Sequence, residues 1–274
     1  MKARCPICPN RCLLGDGAAG LCGARKNAAG KIICENYGKI TSMALDPIEK
    51  KPLREFYPGA YILSVGSYGC NLRCPFCQNH SISAPEEKPD CVYAAPEALV
   101  EKAVSLRNKG NIGVAYTYNE PLIGYEYVKD CALLSHQRGL KNVLVTNGYI
   151  EEGPLSELLP HIDAMNIDLK SFSEGFYERI GGSVEVVKRS IAMAAESCHV
   201  EVTNLIIPGE NDSAEEIEAL SAWLSGVSPD IPLHVSRFFP NYKYKDRLPA
   251  PVERIYFLAD AARKNLRRVY TGNC

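Results

Sequence analysis

No run of residues in this sequence is long and apolar enough to span a bilayer, which takes about 20 predominantly apolar residues, so a membrane helix is excluded. The opening Met1-Lys2-Ala3-Arg4-Cys5 lacks the apolar core of a secretory signal. An excess of charge of one sign is missing as well: 31 Lys and Arg against 32 Asp and Glu leave a formal net charge of −1. That balance removes the electrostatic case for nucleic acid or an anionic membrane as a default partner. The two basic pairs Arg263-Lys264 and Arg267-Arg268 close a helical pattern, where the helix dipole favours solvated cations. There is no fixed-period repeat and no low-complexity tract, which argues against a repeat architecture. Tryptophan occurs once, at Trp223 inside a helical pattern, where packing explains it.

Cysteine is abundant: twelve in 274 residues. In an exported chain so many would suggest disulfides. Without an export signal they read as metal ligands and buried thiols in a reducing cytoplasm. Hydrophobic residues make up 46% of the chain, enough for one large core, and α/β barrels of this size form a single domain.

Three of the cysteines lie in Gly69-Cys70-Asn71-Leu72-Arg73-Cys74-Pro75-Phe76-Cys77-Gln78-Asn79, at C-x3-C-x2-C spacing, directly after the apolar run of residues 61–65. Thiolates are soft ligands, and three on one short loop can converge on a single centre. A four-iron cluster normally takes four cysteines, and the next one along the chain is Cys91. One iron would then stay open, as a catalytic metal keeps an open position. A structural zinc knuckle is the weaker alternative, because zinc sites usually pair two C-x2-C units.

Four more cysteines, Cys5, Cys8, Cys12 and Cys22, fall within eighteen residues that hold little apolar sequence. Such a segment cannot build its own core, and a metal would supply the missing stability. The Cys-Pro and Gly-x-Cys-Gly pieces suit zinc, whereas the tight C-x2-C-x3-C suits a second iron–sulfur cluster. Both remain open at this point. Cys34 follows a strand expected at 31–33, which would pair with 39–43 across Asn36-Tyr37-Gly38, and reads as a packing residue first and a spare ligand second. Asp46-Pro47-Ile48-Glu49-Lys50-Lys51-Pro52-Leu53 holds two prolines and reads as an extended lead-in with a solvated lysine pair. These features set a cysteine-rich module and lead-in at 1–58 apart from a repeating body at 59–274.

In the body, apolar segments rich in Val, Ile or Tyr at 61–68, 112–118, 142–146, 163–169, 199–207 and 232–238 read as strands. Helical patterns at 96–109, 122–138, 154–160, 184–197 and 213–225 separate them, and one at 251–265 follows the last. Six such alternations argue for parallel strands with right-handed crossovers. Ligands of parallel α/β folds gather at the carboxyl ends of the strands. The polar strand ends are Thr117-Tyr118-Asn119-Glu120-Pro121, Thr146-Asn147-Gly148, Asp168-Leu169-Lys170, Pro208-Gly209-Glu210-Asn211-Asp212 and Ser236-Arg237-Phe238-Phe239-Pro240-Asn241. Asn-Gly and Asn-Asp also form turns, but Asp168 and Lys170 alternate on a strand and share one face.

The cysteine loop resembles the signature of radical S-adenosylmethionine (SAM) enzymes, C-x3-C-x-aromatic-C after a first strand, with Phe76 at the aromatic position. In that superfamily the three cysteines hold a [4Fe-4S] cluster whose open iron chelates the amino and carboxylate groups of SAM. The resemblance implies a partial TIM barrel, (β/α)6, preceded here by the cysteine-rich metal module. It implies that Cys70, Cys74 and Cys77 ligate the cluster and that Phe76 packs beside the adenine. Over residues 43–272 the rim motifs are similar to those of the pyruvate formate-lyase activating enzyme branch. Glu120 and Pro121 match its Gly-Gly-Glu segment, which binds the methionyl amino group, with Asn119 in place of a glycine. Thr146-Asn147-Gly148 and Asp168-Leu169-Lys170 match segments that contact the ribose, the carboxylate or a bound cation, and Val145 stands where that branch has an aspartate. Glu120, Thr146, Asn147, Asp168 and Lys170 are thus the expected cofactor-binding residues.

A narrower resemblance, to the radical-SAM component of the AmmeMemoRadiSam system, rests on residues 46–53, 69–83 and 234–243 and on the four N-terminal cysteines. Longer members of that group carry another C-x2-C past the point where this sequence stops, at Cys274. The activity implied is reductive cleavage of SAM to a 5′-deoxyadenosyl radical that abstracts hydrogen, with an electron donor such as flavodoxin or ferredoxin. The substrate is either a small molecule delivered by a partner or, as for the activating enzymes, a glycine of a partner protein.

Overall fold

The computed structural model describes residues 1–274. Two short antiparallel pairs open the chain, β1 (Ala3–Arg4) with β2 (Leu13–Leu14) and β3 (Arg25–Ala28) with β4 (Lys31–Cys34). The expected pairing of 31–33 with 39–43 does not form. The chain reverses one turn earlier, at Ala29 and Gly30, both at positive φ (52° and 88°). Asp16 and Asn27 accept the amide N–H groups of that turn, so β4 folds back on β3.

β5 (Lys39–Ile40) is followed by β6 (Ser42–Pro47), which lies antiparallel to β7 (Tyr61–Gly66). After β7 come the cysteine loop, the single turn α1 (His80–Ser83) and β8 (Val92–Tyr93), which pairs with β5. The alternation then runs α2 (Pro96–Ser105), β9 (Asn111–Tyr116), α3 (Tyr125–Gln137), β10 (Lys141–Thr146), α4 (Glu152–Leu158) and β11 (Ala164–Asp168). It continues with α5 (Glu174–Ile180), α6 (Val184–Ala195), β12 (His199–Ile206), α7 (Ala214–Val227), β13 (Leu233–Arg237), α8 (Val252–Ala262) and β14 (Val269–Gly272). The central sheet has eight strands in the order β14-β13-β12-β11-β10-β9-β7-β6, all parallel except β6. Six β/α units are therefore present, with β14 added at one edge and β6 at the other. α5 is short and was not expected; Ser173 caps its start and Gly181, at φ 77°, ends it.

Side chains alternate across each strand. Leu63, Val65, Val114, Leu144, Met165, Ile167, Val202 and Val235 face the helices and form the main core. α6 meets them with Val184, Val187, Ile191 and Ala194, a helical spacing that keeps one apolar stripe inward. The opposite parity lines the inner face. At the amino ends of the strands Ile62, Ala115, Val143 and Ala164 pack on Ile48, Leu53 and Phe56 of the lead-in. That segment is a plug against the sheet, and its lysine pair is divided: Lys50 is largely exposed, whereas Lys51 is buried and pairs with Asp46 at 2.9 Å. Higher up, the inner face turns polar with Ser64, Asn166, Thr203 and Ser236, and there the sheet opens into a cavity.

Candidate functional site

The cavity measures about 260 Å³ and lies at the carboxyl ends of the parallel strands. Cys70, Cys74 and Cys77 share its wall with Phe76, Glu120, Thr146, Asn147, Asp168 and Lys170. Residues that the sequence spreads over a hundred positions thus meet at one place.

The cysteine loop is fixed on both sides. Asn119 accepts the Ser67 N–H at 2.8 Å and donates to the Gly69 carbonyl at 3.1 Å, which ties the β9 rim to the loop. Gly69 adopts φ 91°, and a Cβ there would come within 2.4 Å of the Cys22 carbonyl, so only glycine permits the close approach of the N-terminal module. Asn71 is buried; it donates to the Tyr149 carbonyl at 2.5 Å and accepts from Asn147 at 3.0 Å. The Leu72 N–H and the Asn147 amide both reach the Cys70 sulfur, at 3.4 and 3.5 Å. Such N–H donors stabilise a thiolate or a cluster sulfur. Burial pushes the Cys70 thiol well above its ordinary pKa and the Cys74 thiol up to about 12. Free, these thiols are protonated, and iron would displace the protons on binding. No three Cys, His, Asp or Glu side chains stand at the spacing of one shared ion. A cluster is wider than an ion, so three thiols around one cavity with N–H donors aimed at sulfur are a donor set that fits it.

Glu120 is buried, and burial raises its pKa to about 7 despite three donors. Its Oε1 accepts from the Thr146 hydroxyl at 2.6 Å and the Leu122 N–H at 3.0 Å, and its Oε2 accepts the Asn147 N–H at 2.8 Å. A carboxylate offers about four acceptor positions, so one remains for a cation in the cavity. Lys170 and Asp168 form an ion pair of 2.7 Å, as their alternation on the strand suggests. Burial works against the lysine charge, but the Asp168 carboxylate beside it outweighs that and holds its pKa above the usual value. Phe76 is buried, with the Phe176 and Tyr244 rings 6.1 and 6.0 Å from its own.

Ser236, at the polar end of β13, lies on this wall as its place at the rim suggested. Sequence reading missed Thr203 and Leu205 of β12 and Asn273 just past β14. The signal for the first two was strand parity, since each alternates with a residue of the inner face. Asn273 had no such signal, because β14 itself was not foreseen. Tyr118, inside a motif that was seen, sits at φ 70° and turns its hydroxyl to Asp46 at 2.9 Å, so the plug reaches the cavity floor.

Cys5, Cys8, Cys12 and Cys22 line a second, much smaller cavity together with Arg25. Arg25 is buried, with Glu126 at 2.5 Å and the Ile123 carbonyl at 2.6 Å. Burial raises the Cys5 thiol and lifts Cys8 to about 11. Asn10 donates to the Asn71 carbonyl at 3.0 Å, and Arg73 reaches back to the Leu21 carbonyl, so this module backs directly onto the cysteine loop. Cys34 lies apart from both cavities and bonds Asn36 at 3.1 Å.

A profile of the radical SAM superfamily matches residues 64–224. An uncharacterized protein of Methanocaldococcus jannaschii is 40% identical over 278 residues, which cover 99% of this chain and 81% of that one. The pyruvate formate-lyase-activating enzyme of Clostridium pasteurianum is 27% identical over 170 residues, 58% of this chain and 67% of that enzyme. Among solved structures, Streptococcus suis SuiB bound to S-adenosylmethionine shares the fold with a TM-score of 0.59, at 14% identity over 76% of this chain and 48% of that one.

Proposed function

Since the chain belongs to the radical SAM superfamily, whose members hold a [4Fe-4S] cluster and SAM, we propose that it cleaves SAM reductively to abstract hydrogen from a small molecule delivered by a partner. The observation that carries this reading is the single cavity on which Cys70, Cys74 and Cys77 face Glu120, Thr146, Asn147, Asp168 and Lys170. When bound and reduced, the cluster would supply one electron to the sulfonium of SAM, and the chemistry gained would be methionine release and a 5′-deoxyadenosyl radical able to take a hydrogen atom from the substrate. Cys70, Cys74 and Cys77 hold the cluster. The free acceptor position of Glu120 takes the ammonium of the methionyl group, and the Asp168–Lys170 pair and Asn147 hold the carboxylate and ribose. Phe76 packs beside the adenine and, with Leu72 and Leu205, keeps water from the reacting atoms. Thr203, Ser236 and Asn273 are left for the substrate, an uncharged polar surface suited to a small hydrogen-bonding molecule.

A glycine of a partner protein is the second reading. It is favoured by the relationship to a pyruvate formate-lyase-activating enzyme and by the sheet being open between β14 and β6. Under either reading a flavodoxin or ferredoxin would supply the electron. The narrower kinship is with the radical-SAM component of the AmmeMemoRadiSam system. Cys5, Cys8, Cys12 and Cys22, which line one small cavity, hold a second metal centre, either zinc or a second iron–sulfur cluster. All twelve cysteines are free thiols, which suits a cytoplasmic setting.

One anaerobic experiment tests these points. After reconstitution with iron and sulfide and reduction, the protein is expected to release 5′-deoxyadenosine from SAM. The fourfold Ser variant of Cys5, Cys8, Cys12 and Cys22 is expected to carry less metal and still form product. Production of S-adenosylhomocysteine alone would overturn the activity, and unchanged iron and zinc in the fourfold variant would overturn the second centre. With deuterated candidates, label moving from a metabolite into 5′-deoxyadenosine supports the small molecule. Label from a partner protein, with a persistent glycyl radical signal, supports the activase.

Asp168→Ala and Lys170→Ala are each expected to weaken SAM binding by about 1.5–3 kcal/mol, the range for a charge-assisted contact. Equilibrium binding to the reconstituted protein measures this. A drop in thermal stability with unchanged affinity would show that the pair only supports the fold.

A further inference from the structure

Behind the cysteine loop lies another cavity of about 60 Å³, whose wall includes Cys70, Cys74, Cys77, His80, Tyr242 and Lys243. His80 is the first residue of α1 and follows the last loop cysteine at C-x2-H spacing. Its ring lies on that of Tyr242, with centroids 4.5 Å apart and planes within 16°. Tyr242 is held there at φ 51°, with Asn241 accepting its N–H at 2.7 Å. The next N–H, of Lys243, donates to the Pro75 carbonyl inside the cysteine loop at 3.0 Å. The turn is thus tied to the loop and clamps the imidazole between them.

So fixed, the ring has its Nδ1 buried without any hydrogen-bond partner. Buried polar nitrogens are nearly always bonded, and an exception asks for an explanation, of which a redox role or a bound group is one. The sulfurs show a matching vacancy of donors. Cys70 receives the Leu72 N–H and the Asn147 amide, whereas no side-chain donor reaches Cys74 or Cys77. An orphaned ring nitrogen and under-donated sulfurs share one wall.

We propose that His80 donates a hydrogen bond through Nδ1 to a sulfur of the cluster held by Cys70, Cys74 and Cys77, and so sets the potential at which that cluster accepts its electron. This rests on the cluster assignment above. Reduction adds negative charge that spreads over the sulfurs, and a donor stabilises the reduced form more than the oxidised one. His80 is therefore a positioning residue for electron entry, not a ligand.

The test is a redox titration of the reconstituted full chain, followed on the electron paramagnetic resonance signal that changes when SAM is added. That choice isolates the cluster with an open iron from any other centre. His80→Phe keeps the stack on Tyr242 and removes the donor, and His80→Ala is a second donor-free variant. His80→Asn places an amide nitrogen where Nδ1 stood. The donor-free variants are expected to retain their iron and shift to a more negative potential, by about tenfold in the reduction equilibrium, or about 59 mV for one electron. His80→Asn is expected to return toward wild type. A wild-type potential in the donor-free variants at full iron content overturns the proposal, and so does loss of iron from them, which would make His80 a ligand. A wild-type protein with no SAM-responsive signal would instead overturn the cluster assignment itself.

Discussion

Replacing Cys70, Cys74 or Cys77 with Ala is expected to bring 5′-deoxyadenosine formation down to background, a loss at least on the order of a thousandfold. The size of the effect follows from how the loop is built. Three ligands on eight consecutive residues hold the whole centre, and the next cysteine, Cys91, is exposed and outside the cavity wall. No neighbouring thiol can take over. The fold, by contrast, depends little on these side chains. The loop is clamped by Asn119, Asn71 and the Gly69 contact with Cys22, none of which involves a loop sulfur. Truncating a partly buried thiol removes about as much apolar surface as one or two methyl groups, roughly 1 kcal/mol. Circular dichroism of the single variants is expected to match wild type, with the melting temperature lowered by a few degrees at most. Iron content and product formation after reduction are the decisive readouts. A triple variant that still cleaved SAM would refute the assignment of the loop.

The parts of this molecule legible in the sequence were those with a period or a fixed spacing. The parallel strands announced themselves by apolar runs, and the carboxyl-end rule then gathered Glu120, Thr146, Asn147, Asp168 and Lys170 at one rim. Pairing partners were harder to see. Lys31–Cys34 could pair forward or backward, and the choice was made by Ala29 and Gly30, a turn that only the side-chain acceptors Asp16 and Asn27 support. The lead-in read as solvated because its lysines are adjacent, yet one points outward and the other inward to Asp46 and the Tyr118 ring, 4.8 Å away. Local sequence carries no trace of that division, since it depends on strands that come later. β14 was overlooked because four residues, Val269–Gly272, are too few to show an alternation. With it went Asn273 and one wall of the cavity.

The plug also explains why Glu201→Ala is expected to cost about 3–5 kcal/mol of stability, far more than any cysteine of the loop. Glu201 is fully buried on the inner face. Its Oε1 accepts from the Glu55 N–H at 2.8 Å and lies 2.9 Å from His199 Nε2. Its Oε2 accepts from the Arg54 N–H at 3.0 Å and lies 2.6 Å from His234 Nε2. One carboxylate thus latches residues 54 and 55 to β12 and β13, and removing it leaves two part-buried backbone donors and two ring nitrogens unpaired. Burial disfavours the charge, but the two histidines and the two N–H donors outweigh it and bring the pKa from 4.5 down to about 2. Because the folded value is the lower one, the unfolded chain binds more protons between the two values. The contribution is complete above about pH 4.5 and is lost as pH falls toward 2, and at 1.36 kcal/mol per unit it amounts to about 3 kcal/mol. Urea unfolding at neutral pH measures the cost of the substitution, and unfolding midpoints between pH 5 and 2 measure the linkage. Wild type is expected to lose stability steeply over that window and Glu201→Ala to lose it by about 3 kcal/mol less. Parallel curves for the two proteins would mean that the latch carries no charge-dependent stability and that the plug is held by Leu53 and Phe56 alone.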